Sequence, residues 1–223
     1  FEILQEMAKK NNCIFHIGFN HRYHRAIRKA KEIVDSGHIG ELMFIRSRYG
    51  HGGRLGYDNE WRANPELSGG GELIDQGSHL IDLSRYFLGD FNKVHGYAKT
   101  YFWKMPVDDN AFMTLRMNNK ARGSIWVSSA ATGGENGLKI RVYGTKGAVE
   151  WFQDDPNILK FTELNNPTRI ITRASNSVSS LSMKSSRVAA GHPEGFFEAF
   201  ANIYTEFADL VTSSKKNLSS IPK

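Results

Sequence analysis

Asp75 and His79 stand four residues apart in the segment Ile74-Asp75-Gln76-Gly77-Ser78-His79-Leu80. On a helix advancing about 100° per residue, Asp75, His79, Asp82 and Tyr86 fall within a stripe roughly 60° wide. Leu73, Leu80, Ser84, Phe87 and Leu88 turn to the other side, which reads as the core-facing one. Side chains four apart on a helix are neighbours. An imidazole that titrates near neutrality can take a hydroxyl proton, while a carboxylate orients the ring and stabilises the imidazolium. Oxidation of an alcohol needs such a pair. Two other readings stand beside this one: a solvent-facing stripe with an incidental His, and a metal site. A metal needs further ligands, and His51 and His192 are available only at spacings that match no metal motif.

The run Ser68-Gly69-Gly70-Gly71 leads directly into this segment. Free N–H groups at a helix start attract anions or polar ligand atoms, and glycines let a ligand approach the backbone. The alternative is a plain flexible turn. A second glycine cluster, Gly50-His51-Gly52-Gly53, is not followed by a helical pattern and does not match a dinucleotide fingerprint. The sequence contains no G-x-G-x-x-G, no Walker motif and no G-x-S-x-G nucleophile elbow.

The elements that must position these residues follow from periodicity. The chain opens inside a helical pattern (Ile3, Leu4, Met7, Ala8), without an initiator Met, and then shows a short apolar strand from Ile14 to Gly18. A helix followed by a buried strand is half of an α/β unit, so the chain reads as a fragment. A helix is expected over 22–35, a strand over 42–49, and the polar-striped helix over 71–88. From Asn92 to Phe161 the pattern changes to strands. Val107–Met117 and Arg122–Ser128 read as antiparallel partners, and Leu138, Ile140 and Val142 alternate with polar residues as in a half-buried strand. Residues 164–190, rich in Asn, Ser and Thr, are expected to form a long surface loop. A last helix follows Pro193 with a broad aromatic face: Phe196, Phe197, Phe200, Tyr204 and Phe207.

Composition bounds the classes. The 223 residues are 40% hydrophobic and 23% charged, which suits a globular chain with a sizeable core. Cys13 is the one cysteine, which excludes an internal disulfide and a Cys-based metal site and favours a cytoplasmic setting. It lies in an apolar run and is expected to be buried. No apolar run approaches the ~20 residues of a membrane span, and no secretory signal is visible. The net charge is +6, with a basic cluster at Arg22, Arg25, Arg28, Lys29 and Lys31. Apolar residues alternate with it at helical spacing, so it reads as the polar face of a helix. No nucleic-acid motif accompanies it.

Several segments together resemble the Gfo/Idh/MocA oxidoreductase family. They are Gly18-Phe19-Asn20-His21-Arg22-Tyr23, Ile39-Gly40-Glu41, Trp61-Arg62, and the run from Ser68 to Asp82. Further similarity lies at Asn136–Gly147 and at Gly191-His192-Pro193-Glu194-Gly195 to Asn202. The resemblance implies an α/β (α+β) domain: an open, largely antiparallel mixed sheet with helices on one face. The last helix-strand-helix of a truncated Rossmann domain would precede it. Residues 1–35 would be that remnant, and 36–223 the substrate-binding, catalytic and oligomerisation domain. It further implies NAD or NADP as cofactor and a sugar or polyol as substrate. His79 would be the acid/base and Asp75 its assistant. Trp61 and Arg62 would sit near the nicotinamide, with Asn20 and Arg22 lining the site, and His51 and His192 would contact substrate. No metal, nucleic acid or membrane is implied. A homodimer or homotetramer through the open sheet is expected, with Tyr101, Trp103, Trp126 and Trp151 in or near its strands. The family's glycine-rich phosphate loop and Glu-Lys-Pro motif are not in these residues, so the fragment itself is expected to be inactive. The alternative is a non-catalytic, ligand-sensing member of the same fold.

Overall fold

A computed structural model describes residues 2–172, 187 and 195–214. Its centre is β1 (Leu42–Gly50). Ile45, Ser47 and Tyr49 point to one face and are buried, while Arg46 and Arg48 point to the other, the period-2 alternation of a sheet with one covered face. The remaining strands are β2 (Phe91–Lys99), β3 (Asn110–Met117), β4 (Arg122–Ser128), β5 (Lys139–Gly144), β6 (Gly147–Phe152), β7 (Leu159–Glu163) and β8 (Arg169–Ile171). They form one eight-stranded sheet in the order β2-β3-β4-β1-β5-β6-β7-β8. β1 and β4 run parallel, with Ser47 opposite Ile125, and the other neighbouring pairs are antiparallel.

Helices α1 (Glu2–Lys10) and α2 (Arg25–Asp35) precede β1, the short α3 (Pro65–Ser68) and α4 (Gln76–Leu88) lie between β1 and β2, and α5 (Phe196–Ser214) follows β8. α2 and α4 cover one face of the sheet. Ile27, Ala30, Ile33 and Val34 of α2 and Leu80, Leu83, Phe87 and Leu88 of α4 join Ile45, Leu115, Ile125, Val142 and Trp151 in one core. α1 contributes no buried residue. The architecture is the open, mostly antiparallel mixed sheet, helix-covered on one face, that the resemblance implies.

Several local expectations are corrected. Ile14–Gly18 is not a strand, because it pairs with none of the eight described strands and an isolated strand leaves its backbone groups without a ladder. Cys13 is correspondingly exposed. The helix expected over 22–35 begins at Arg25: Asn20–Tyr23 form a 3-10 helix, and the His24 side chain caps α2 by accepting from the Ala26 N–H at 3.2 Å. β8 lies within the stretch read as a surface loop; the rest of 173–190, apart from Arg187, is outside the described residues. Trp151 is buried on the helix side, so it does not belong to the open face. α4 begins at Gln76 and not at 71.

The late start of α4 has a definite cause. The Asp108 carboxylate accepts the N–H groups of Gly71 (3.2 Å) and Leu73 (2.8 Å), and the Asp108 carbonyl accepts that of Glu72 (2.9 Å). These donors, expected to be free for a ligand, are satisfied by the protein itself. Only glycine fits at 71, since a Cβ there would stand 1.9 Å from the Asp108 carbonyl oxygen. Asp109, fully buried, accepts the N–H groups of Tyr101, Phe102 and Trp103 and so shapes the loop that delivers Asp108.

Candidate active site

Asp75 occupies the position before the first residue of α4, outside the helix. Its carboxylate therefore does not stack over His79 as an i, i+4 helical neighbour. It meets Arg62 instead, with Arg62 Nε 3.2 Å from Asp75 Oδ2. The Arg62 guanidinium lies 4.6 Å over the ring of Trp61, which is 55% exposed. A cavity of about 200 Å³ opens beside them, lined by Tyr57, Trp61, Arg62, Glu72, Asp75 and Asp108. The exposed indole and the guanidinium fork make a flat, donor-rich surface that fits an aromatic ring with polar substituents.

His79 is part-buried, and its partner is a second histidine. His79 Nδ1 lies 3.2 Å from Nδ1 of His21, with the two rings nearly perpendicular at 87°. Burial lowers the pKa of His79, while Asp75 and Asp82 act against that lowering. The net shift is downward, which favours the neutral ring. His21 is 4% exposed and edge-packed on Tyr49. Burial, and then the neighbouring His79 and His24, push its pKa down to about 3.

The other expected site residues fall around this pair. Asn20 is buried and lines a small cavity with His21. Arg22 is committed inside the protein: its Nε and Nη2 grip the two oxygens of Asp82 at 2.7 and 2.6 Å. Such two-point pairs hold geometry well, and this one fastens the 3-10 segment to α4. His51 has both ring nitrogens bonded. Nδ1 accepts the Gly53 N–H at 3.0 Å, and Nε2 donates to the Gln76 amide oxygen at 2.9 Å when that amide faces its neighbours favourably. Burial lowers the His51 pKa, with Asp75 opposing. His192 lies outside the described residues. Among the described residues, no three His, Cys, Asp or Glu side chains gather in a way that could hold a metal ion.

Reasoning from the sequence missed two residues. His21 was visible as a His next to Asn20, yet its contact with His79 spans 58 positions and no local spacing marks it. Glu72 was visible as an acid between glycines and an apolar pair. It is 2% exposed, accepts from the Tyr57 hydroxyl at 2.6 Å, and faces the Gln76 amide. Burial raises its pKa to about 7. Tyr57 and Ser129 lower it by hydrogen bonding, and Asp75 and Asp108 raise it by charge.

Comparison with known proteins identifies the family. A sequence model of the GFO/IDH/MocA C-terminal domain matches residues 27–150. The chain belongs to this family. An uncharacterized oxidoreductase of Bacillus subtilis, YfiI, is 23% identical over 96% of this chain and 57% of its own length. Myo-inositol 2-dehydrogenase of Thermotoga maritima is 30% identical over 65% of this chain and 42% of its own length. The crystal structure of an inositol dehydrogenase homolog from Azotobacter vinelandii, complexed with NADH and myo-inositol, superposes with a TM-score of 0.86 at 30% identity. That match covers 96% of this chain and 57% of the other. The chain thus spans about half the length of the curated relatives it matches.

The raised pKa of Glu72 has a consequence for stability. The folded state binds its proton more tightly than the unfolded state does. The stability it contributes is complete below the ordinary carboxylate range and is lost as pH rises to about 7. Glu72→Gln keeps the acceptor for Tyr57 and removes the charge. It should leave stability near pH 4 almost unchanged and raise it at pH 8 by roughly 2–3 kcal/mol. Denaturant unfolding at the two pH values checks this, and an equal effect at both would reject it.

Proposed function

We propose that this chain is the substrate-binding and catalytic part of an oxidoreductase that transfers a hydride between NAD(P) and a CH–OH group of a sugar or polyol. The observation that carries the proposal is His79: an imidazole whose Nδ1 meets His21 and whose proton affinity burial lowers, with Asp75 and Arg62 near the same helix start. The relatives named as dehydrogenases, and the neighbour solved with NADH and myo-inositol, support the same reading.

In this proposal His79 Nε2 takes the substrate hydroxyl proton during oxidation and returns it during reduction. A base poised below its ordinary pKa is deprotonated at neutral pH, as this role requires. Asp75 supports the imidazolium through its charge, since no hydrogen bond joins the two among the described residues. Arg62 holds Asp75 on the side of Trp61. Trp61 and Arg62 offer a surface for the nicotinamide end of NAD or NADP, which when bound supplies the hydride acceptor. Asn20 and Arg22 set the wall of the site: Asn20 from within, and Arg22 by anchoring its segment to Asp82. His192 belongs to the proposed substrate site, and His51 contributes the edge of its ring because both nitrogens are engaged.

Residues 1–35 form the end of a dinucleotide-binding domain, with α2 docking it on the sheet, and 36–223 form the catalytic and oligomerisation domain. No described helix is long and apolar enough to cross a membrane, and we take the setting to be cytoplasmic. The open face of the sheet is the proposed interface of a homodimer or homotetramer. Phe112, Trp126 and Tyr143 lie there among Arg46, Arg48 and Arg141, and Glu150 on the same face pairs with Lys139 and Arg141 at 3.3 and 3.4 Å.

In the full-length enzyme, His79→Ala should lower kcat by about 10²–10⁴ and leave dinucleotide affinity unchanged. The kcat/KM for oxidation should fall only as pH drops through a pKa below 6.5. Turnover equal to that of the parent would remove His79 from the acid/base role. The 223-residue chain alone should show no NAD(P)-dependent turnover with inositols or aldoses, and robust turnover would contradict the division of labour proposed above. Sedimentation of the full-length protein should give a dimer or tetramer; a monomer would argue against the interface.

A further inference from the structure

The contact between His21 and His79 raises a question of proton position. Both atoms in contact are Nδ1, 3.2 Å apart, so one must carry a proton and the other a lone pair. The choice decides what His79 can do. If His79 carries its proton on Nδ1, its Nε2 is a free lone pair and a base. If His21 donates, the His79 proton sits on Nε2 and the ring cannot accept there.

The far side of His21 provides the deciding observation. His21 Nε2 and Gln153 Oε1 are both buried and neither reaches a partner at hydrogen-bonding geometry. They line the same small cavity. Gln153 acts on the His21 ring as an acceptor, favouring a proton there. A donor facing that acceptor is electrostatically favourable, whereas a bare Nε2 facing the oxygen would leave two buried lone pairs opposed.

We propose that His21 is a positioning residue that selects the tautomer of His79: Gln153 Oε1 draws the His21 proton to Nε2, leaving His21 Nδ1 as the acceptor for the His79 Nδ1–H. This rests on the acid/base role given to His79 above. A carboxylate commonly takes the orienting place behind a catalytic His. Asp75, the carboxylate that spacing would put there, is turned to Arg62. A neutral imidazole fills the place. When His79 Nε2 gains the substrate proton, the Nδ1 proton stays on His79, because His21 takes up a second proton only near pH 3. Edge contacts with Tyr49 and Trp151 hold the His21 ring in this orientation.

The test uses the full-length protein with ¹⁵N-labelled histidine, comparing the parent with His21→Asn and His21→Phe. Asn places its Oδ1 close to where the His Nδ1 stands, and Phe keeps the ring volume without an acceptor. Imidazole ¹⁵N spectra should show His79 protonated at Nδ1 in the parent and in His21→Asn, and shifted to Nε2–H in His21→Phe. An Nε2–H tautomer in the parent, or one unchanged tautomer in all three, overturns the proposal. In turnover, His21→Phe should lower kcat by about 10- to 100-fold with KM within about twofold, and His21→Asn should recover most of the loss. Equal turnover of His21→Phe and the parent would also overturn it. The spectra need no activity, so full turnover by His79→Ala would refute the acid/base reading while leaving the tautomer assignment standing.

Discussion

The start of α4 is held in place by one carboxylate. Asp108 accepts the N–H groups of Gly71 and Leu73 through its side chain and that of Glu72 through its carbonyl. These donors would otherwise look for partners one turn back or in a ligand. Once they are taken, the chain turns through Gly71–Asp75 and the helix begins at Gln76. The consequences spread from there. Asp75 leaves the helical stripe and reaches Arg62, Glu72 is driven inward onto Tyr57, and His79 arrives in the first turn facing His21. Asp108 can do this because Asp109 beside it, fully buried, accepts three consecutive N–H groups and fixes the preceding loop.

The site sits where the sheet's covered face, α4 and the Asn20–Tyr23 segment converge. Buried polar groups must find partners, and their pairing determines which side chains remain available. Arg22 goes to Asp82, His51 to Gly53 and Gln76, and Glu72 to Tyr57. After this pairing, His79 meets His21 through Nδ1, and Trp61 stays exposed beside Arg62. The same pairing accounts for the proton affinities. His21 and His79 lose affinity for a proton because burial penalises the charged ring, and Glu72 gains it because burial penalises the charged carboxylate.

Much of this was legible in the residues. Alternation in Leu42–Tyr49, Arg122–Ser128 and Leu138–Val142 marked strands that the structure contains, and Leu80, Phe87 and Leu88 marked the core side of α4. The segments quoted for the family resemblance led to the family that the comparison confirms. Errors came where a local pattern depended on a distant partner. Ile14–Gly18 reads as a strand by composition and has no strand beside it among the described residues. Trp151 looked like a surface aromatic and is buried at 2% exposure, its indole N–H donating to the Pro156 carbonyl at 3.0 Å.

By itself the sequence determined the class of fold, the helix that carries His79, and the set of side chains from which a site could be made, because periodicity and glycine placement are local properties. The tertiary structure decided which of them meet. The His21–His79 contact joins residues 58 positions apart, and the Asp108 grip on Leu73 joins residues 35 apart. Hydrogen-bond partnership and burial are set by all the elements packed around a group. For that reason the Asp75–His79 pair, suggested by a spacing of four, became in three dimensions two pairs: Asp75 with Arg62, and His79 with His21.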